Sequence, residues 1–181
     1  MTLSIQIRPE QEQDIHDIAQ VTELTFADAP HSSHTEHFII NALREQQQLT
    51  ISLVALFDGK IIGHIAISPV NISSGEKNWY GLGPVSVLPE YQGQGIGSAL
   101  IQQALQQLKN LGAKGCVLLG EPEYYARFGF QVVSGLTLAD VPAEYFQALS
   151  FSGNFVQGNV TYSSAFEATA CLEIETSSFL N

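Results

Sequence analysis

The chain is short of cysteine and of positive charge, and it has no apolar run long enough to cross a bilayer. Cys116 and Cys171 are its only cysteines and lie far apart, which argues against a disulfide-stapled secreted fold and makes a reducing cytoplasm the expectation. The opening Met1-Thr2-Leu3-Ser4-Ile5 lacks the basic-then-apolar pattern of an export signal and points the same way. Seven Lys and Arg stand against eighteen Asp and Glu, a formal charge of −11. That balance opposes sequence-independent affinity for nucleic acid or an anionic membrane; it suits plain solubility and a cationic, amine-bearing acceptor equally well. No Gly-x-Ser-x-Gly run occurs, so the nucleophile elbow of a hydrolase is missing. His31, His34 and His37 have a His-x-x-His-x-x-His spacing, but no Cys or acidic pattern completes a metal site, and surface histidines are the simpler reading.

Against these absences stands one glycine-rich segment, Gln92-Gly93-Gln94-Gly95-Ile96-Gly97. It follows an apolar strand ending Pro84-Val85-Ser86-Val87-Leu88-Pro89 and precedes a helical pattern running to Lys109. A diphosphate cradle needs several backbone N–H groups converging on anionic oxygens at a helix N-terminus, and side chains there would obstruct the approach. Two rival phosphate sites fit less well. A P-loop requires Lys and then Ser or Thr after its last glycine, whereas Gly97 is followed by Ser98-Ala99. A dinucleotide fingerprint requires an acidic residue about twenty positions on at a strand end, and Glu121 is only a loose match. An ordinary strand-to-helix turn seldom needs three glycines at alternate positions.

The 181 residues, 45% of them hydrophobic, predict one domain over 1–181 with no internal repeat. Leu3 to Arg8 alternates as a strand, and Ile15, Ile18, Ala19, Thr22 and Phe26 recur at helical spacing. A second helix is expected from Thr35 to about Gln47, after the breaker stretch Ala29 to Ser33. Ile51–Phe57 and Lys60–Val70 read as strands joined by the tight-turn pair Asp58-Gly59. A polar loop, Asn71 to Asn78, precedes the strand Trp79–Leu88; the helix Ile96–Lys109, a buried strand Gly115–Leu119 and a short helix Glu123–Phe128 follow. Pro142 to Phe151 is expected to add a helical turn, and Gly158 to Phe166 a last strand.

The spacing Gln-x-x-Gly-x-Gly between that strand and that helix resembles the pyrophosphate loop of the GNAT superfamily of acyl-CoA-dependent N-acetyltransferases, and the element order resembles its fold over residues 3 to 133. The runs Gly81-Leu82-Gly83-Pro84-Val85-Ser86-Val87 and Glu121-Pro122-Glu123-Tyr124-Tyr125-Ala126-Arg127-Phe128-Gly129-Phe130 resemble the YhbS-like branch, as does Gly158 to Phe166. The resemblance implies an α/β (α+β) fold with a mixed, mostly antiparallel twisted sheet, splayed central strands and flanking helices. Residues 134–181 would extend that domain. It also implies acetyl-CoA as the acyl donor, no metal, and a small-molecule or protein amine as acceptor. A homodimer, formed through the late strand from Val160 to Ala165, is consistent with it.

On the same basis, Val85 and Val87 would pair with the pantetheine arm, with Ser86 between them, and Gln92, Gly93, Gln94, Gly95, Ile96, Gly97 and Ser98 would hold the pyrophosphate. Gln92 stands where many relatives carry Arg, which shifts work onto backbone N–H groups and the helix dipole. Pro84 has no N–H to complete a ladder and so favours an interrupted strand. Tyr125, four residues before Gly129-Phe130, matches the acid that returns a proton to the thiolate, with Tyr124 as its rival. For the base, Glu121 is the candidate, with His31, His34 and His37 also open. His64 and Cys116 fall in strands and read as core residues. Many relatives carry Asn where this chain has Gly120-Glu121-Pro122, which leaves donor contacts after that strand open. An acyl-CoA-binding module without turnover, or an acyltransferase using another acyl-CoA, is the alternative.

Overall fold

The computed structural model describes residues 3–30 and 32–169, so His31 and Cys171 lie outside it. In chain order the elements are β1 (Gln6–Pro9), α1 (Ile15–Phe26), α2 (Glu36–Glu45), β2 (Ile51–Phe57), β3 (Lys60–Pro69), β4 (Asn71–Ile72), β5 (Trp79–Val87) and α3 (Ile96–Asn110). They continue with β6 (Gly115–Leu119), α4 (Pro122–Tyr125), β7 (Leu136–Leu138), β8 (Phe146–Ser150) and β9 (Gly158–Thr161). Six strands form one sheet in the order β1-β2-β3-β5-β6-β8, antiparallel throughout except for the parallel pair β5–β6. The Asp58-Gly59 turn closes the β2–β3 hairpin with both residues at positive φ, +48° and +74°, the left-handed conformation that a tight turn matching the strand twist demands.

Strand alternation sorts the core onto two faces. Leu53, Ala55, Ile65 and Ile67 pack with Leu100, Ile101, Ala104 and Leu108 of α3, while Val54 and Ala66 between them face Ile18 and Val21 of α1 and Ile40 of α2. On the α1–α2 side of β6 the cover changes. Val117 packs with Trp79, Leu136, Phe146 and Val160 beneath a second, three-stranded sheet ordered β4-β9-β7.

Three sequence expectations are corrected here. The loop after β3 contains β4, two residues long and too short to leave a pattern. The region from Pro142 forms only a 3-10 turn at Ala143–Tyr145 and then becomes β8, which completes the main sheet against β6. The late strand stops at Thr161, and a 3-10 turn at Ser164–Glu167 follows. Strand β9 sits between β4 and β7, so both of its own edges are paired within the chain. Among the described residues no helix is long and apolar enough to cross a membrane.

A half-buried polar network joins the end of β1 to α2 and β2 and reaches the buried His64 of β3. The carboxylate of Glu10 accepts from Arg44 Nε at 2.8 Å, Arg44 Nη2 at 2.9 Å and Ser52 Oγ at 2.5 Å, and His64 Nε2 lies 2.7 Å from that hydroxyl. Since Ser52 donates its one proton to Glu10, it accepts from His64, which fixes the Nε2–H tautomer. Burial pushes the His64 pKa down to about 4; Glu10 pulls the other way and Arg44 adds to the lowering. The imidazole is thus neutral when folded, as expected of a core residue. Stability should fall as pH drops from about 6.5 toward 4, because the unfolded imidazole takes up a proton that the folded one refuses; the loss approaches about 3 kcal/mol. Urea midpoints between pH 7 and 4 measure this, and His64→Gln should flatten the slope. A parent profile already flat from pH 6.5 to 5 would refute it.

Candidate functional site

The sheet forks at its centre. Strand β5 pairs with β3 to its end, but with β6 only where Trp79–Gly81 meet Gly115–Val117; beyond that point β5 and β6 part. On the other edge of β5 the register slips. Ile65 faces Val85 and Ile67 faces Leu82, so Gly83 and Pro84 are extra residues opposite one. This is the interruption expected at Pro84. Leu88 N–H donates to Ile62 O at 2.9 Å, toward β3, so strand alternation turns the backbone groups of Val87 and Val85 into the fork. Val87 O is occupied there: Gln92 Nε2 donates to it at 2.9 Å, and Thr25 Oγ1 lies 3.1 Å away.

A cleft of about 450 Å³ opens from the fork to the start of α3. Its rim is the glycine loop, in which Gly93 and Gly95 have φ of +72° and +82°, a conformation that a side chain disfavours. Gly95 N-caps α3, and its carbonyl accepts from Ala99 N–H at 3.0 Å. The N–H groups of Ile96, Gly97 and Ser98 precede the first residue with an intrahelical partner, so they remain free to meet an anion with the helix dipole behind them. Gly97 differs from the other two. A Cβ there would make only ordinary contacts, 3.5 Å to Tyr124 Oη and 3.8 Å to Val87, so the fold tolerates a methyl that the cleft would feel.

The tyrosine pair closes the cleft opposite the loop. Tyr124 Oη is 3.4 Å from Ser98 Oγ, and its ring meets that of Tyr125 edge-on at 4.9 Å. Tyr125 rests on Gly120, where any Cβ would collide with its ring. Burial, helped by Tyr124, pushes the Tyr125 pKa up to about 12. Arg127 lines the same cleft, with its guanidinium 4.5 Å above the Tyr124 ring and Nε donating to Tyr124 O at 2.9 Å.

A second cavity, about 420 Å³, lies on the far side of β5 and is lined by residues of α1, α2, β5, β7 and the chain after β9. Val85 and Tyr125 belong to both cavities. They therefore mark the point where a group lying along the fork would meet a molecule entering from the other side. Glu36 is one of the lining residues of this second cavity, in a wall that is otherwise mostly apolar.

The structure thus brings Val85, Val87, Gln92, Gly93, Gly95, Ile96, Gly97, Ser98 and Tyr125 to one cleft. Ser86 is not among them: it is fully buried, with its hydroxyl directed at Thr22. Gln94 turns away to donate to Glu90 O at 3.3 Å. The Gln92 side chain, expected at the phosphate, folds back onto β5, and Arg127 is the cationic side chain that lines the cleft. Glu121 N-caps α4 beside Tyr145 and Pro142, outside both cavities. His34 and His37 also lie outside them, His34 bonded through Nδ1 to Phe26 O at 2.9 Å, and the described residues contain no cluster able to hold a metal. Thr25, Tyr91, Ile101 and Arg127 were not foreseen. Only Arg127 left a signal, its three-residue spacing from Tyr124 on a helical turn.

The Acetyltransferase (GNAT) family model matches residues 14–130. The uncharacterized N-acetyltransferase YhbS of Escherichia coli (strain K12) is 38% identical over 103 residues, 56% of this chain and 62% of YhbS, so the match spans under two thirds of that relative. A GNAT family acetyltransferase from Brucella melitensis, solved in complex with acetyl-CoA, is 50% identical with a TM-score of 0.81, covering 90% of this chain and 98% of that one. The YhbS structure from Escherichia coli, in complex with CoA, aligns with a TM-score of 0.84 at 32% identity, covering 94% and 96%.

Proposed function

The chain belongs to the GNAT acetyltransferase family, and from that premise we propose that it transfers an acetyl group from acetyl-CoA to a primary amine by direct attack. The observation that carries this reading is the meeting of two cavities at Val85 and Tyr125. Acetyl-CoA bound in the solved Brucella melitensis relative and CoA in that of YhbS favour the same donor for the cleft. Its diphosphate would accept from the N–H groups of Ile96, Gly97 and Ser98, with Arg127 adding charge at the rim. The pantetheine amides would pair with β5 at Val85 and at the Val87 N–H, since the Val87 carbonyl is held by Gln92 and Thr25. Glu121 is not proposed as the base, because it stands outside both cavities.

The chemistry follows from this placement. The amine lone pair attacks the thioester carbonyl and a C–N bond forms; the oxygen takes the negative charge, stabilised by the Val85 N–H turned into the fork. Collapse breaks the C–S bond, Tyr125 gives its phenolic proton to the thiolate, and the proton lost by the amine passes to solvent, from which Tyr125 is restored. Products are the N-acetylated amine and CoA thiol. Binding without turnover is the competing reading, and a junction open to a second cavity disfavours it. Titration with acetyl-CoA by calorimetry should give micromolar affinity, and thiol release should then depend on added primary amine. Tight binding with no amine-dependent thiol release across a broad amine panel would leave only the binding module.

A further inference from the structure

The second cavity has a chemical character of its own. Phe26, Ile39, Leu82, Leu138 and Phe166 give it an apolar and aromatic wall. Glu36 belongs to the same lining: its carboxylate Oε1 accepts from Ser32 Oγ at 2.5 Å, while Oε2 is buried without a partner among the described residues. A buried acceptor left unpaired is costly, and a carboxylate more so than a neutral group. The occupant that relieves it must bring a charged N–H donor and must otherwise be apolar enough to lie against the wall.

Resting on the acetyl-transfer reading above, the geometry points to Glu36 as the residue that selects the acceptor, and to a single primary ammonium on an apolar or aromatic body as the acceptor class. The ammonium docks on Glu36 Oε2 and gives up one proton there before its lone pair attacks; Glu36 then returns that proton to solvent. A polyamine or aminoglycoside would have to strip water from further charges against apolar side chains, so it is disfavoured in this cavity.

The test compares 2-phenylethylamine and hexylamine with spermidine and kanamycin at saturating acetyl-CoA, with a leucine-initiated peptide as a further arm. The two apolar amines should exceed spermidine and kanamycin by at least tenfold in kcat/KM. A higher value for the peptide would assign the same ammonium-on-apolar-body chemistry to a chain terminus. Glu36→Gln should raise the amine KM at least tenfold with calorimetric affinity for acetyl-CoA unchanged, which also certifies the fold. Leu138→Lys, at a half-buried wall position, should have the same signature by repulsion. An unchanged amine KM in Glu36→Gln, or preference for spermidine or kanamycin, overturns the assignment while leaving acetyl transfer standing. Failure of the parent to bind acetyl-CoA overturns acetyl transfer itself and this inference with it.

Discussion

Tyr125→Phe should lower kcat by about 10²-fold to 10³-fold while the KM for acetyl-CoA and for the amine stay within a few-fold, the signature of a group used only in the transition state. The ring is what Gly120 and the neighbouring aromatic side chains seat, and phenylalanine keeps it, so only the hydroxyl is lost. Tyr124→Phe serves as the internal comparison. Its hydroxyl lies near Ser98 at the loop end of the cleft, whereas Tyr125 alone of the pair reaches both cavities. The effect there should stay below about tenfold, within what one neutral hydrogen bond contributes. Because burial, reinforced by Tyr124, pushes the Tyr125 pKa up to about 12, the phenol keeps its proton throughout the working range. The alkaline limb of the rate profile should therefore stay flat to about pH 10 as far as this residue is concerned. Full activity in Tyr125→Phe would remove the residue from the mechanism.

Gly97→Asp should weaken acetyl-CoA binding by at least about 10²-fold, roughly 2.7 kcal/mol, with no loss of thermal stability. The two effects part company for a physical reason. A Cβ at Gly97 meets only ordinary contacts, so the empty fold accommodates it. A carboxylate in the first turn of α3 also suits the positive end of the helix dipole and should, if anything, raise the melting temperature. The diphosphate wants the same place and the same N–H groups, and now meets a like charge. Gly97→Ala should fall between parent and Gly97→Asp. Substitution at Gly93 or Gly95 is a poorer experiment, since their positive φ would mix backbone strain with lost binding. Parent-like affinity in Gly97→Asp would mean that the donor does not use this helix end.

What could be read from the residues depended on how local the cause was. The glycine loop, the Asp58-Gly59 hairpin and the α3 pattern each answer to constraints within a few positions, and each stands where the sequence puts it. The interruption at Pro84 was legible because a missing N–H is a property of one residue. By contrast β8 was hidden. Phe146, Gln147 and Ala148 are all buried, so the strand shows no in–out alternation, and the turn residues before it suggested a helix. The site followed the same rule. The loop was found from its spacing and Val85 and Val87 from the family resemblance, while Glu36 and Thr25 reach the cavities only through packing between distant segments. Glu121 is adjacent in sequence to the strand that forms the fork, yet the turn into α4 carries it out of both cavities.

The fork between β5 and β6 also makes the empty protein thermodynamically incomplete. Pairing with β6 that would otherwise continue past Gly81 is withheld, so the fork-facing backbone groups of β5, at Val85 and Val87, lack the strand partner a closed sheet would give them. A donor whose own amides filled that place, as proposed above, would act as a removable piece of backbone, and its binding energy would become folding energy for the surrounding sheet. At a free concentration one hundred times its Kd, such a ligand adds about 2.7 kcal/mol to the native state. The amides of Val85 and Val87, which face the fork, should accordingly pass from fast to slow hydrogen exchange when acetyl-CoA or CoA is added, and the cell's supply of acyl donor would set how durable this enzyme is as well as how fast it works.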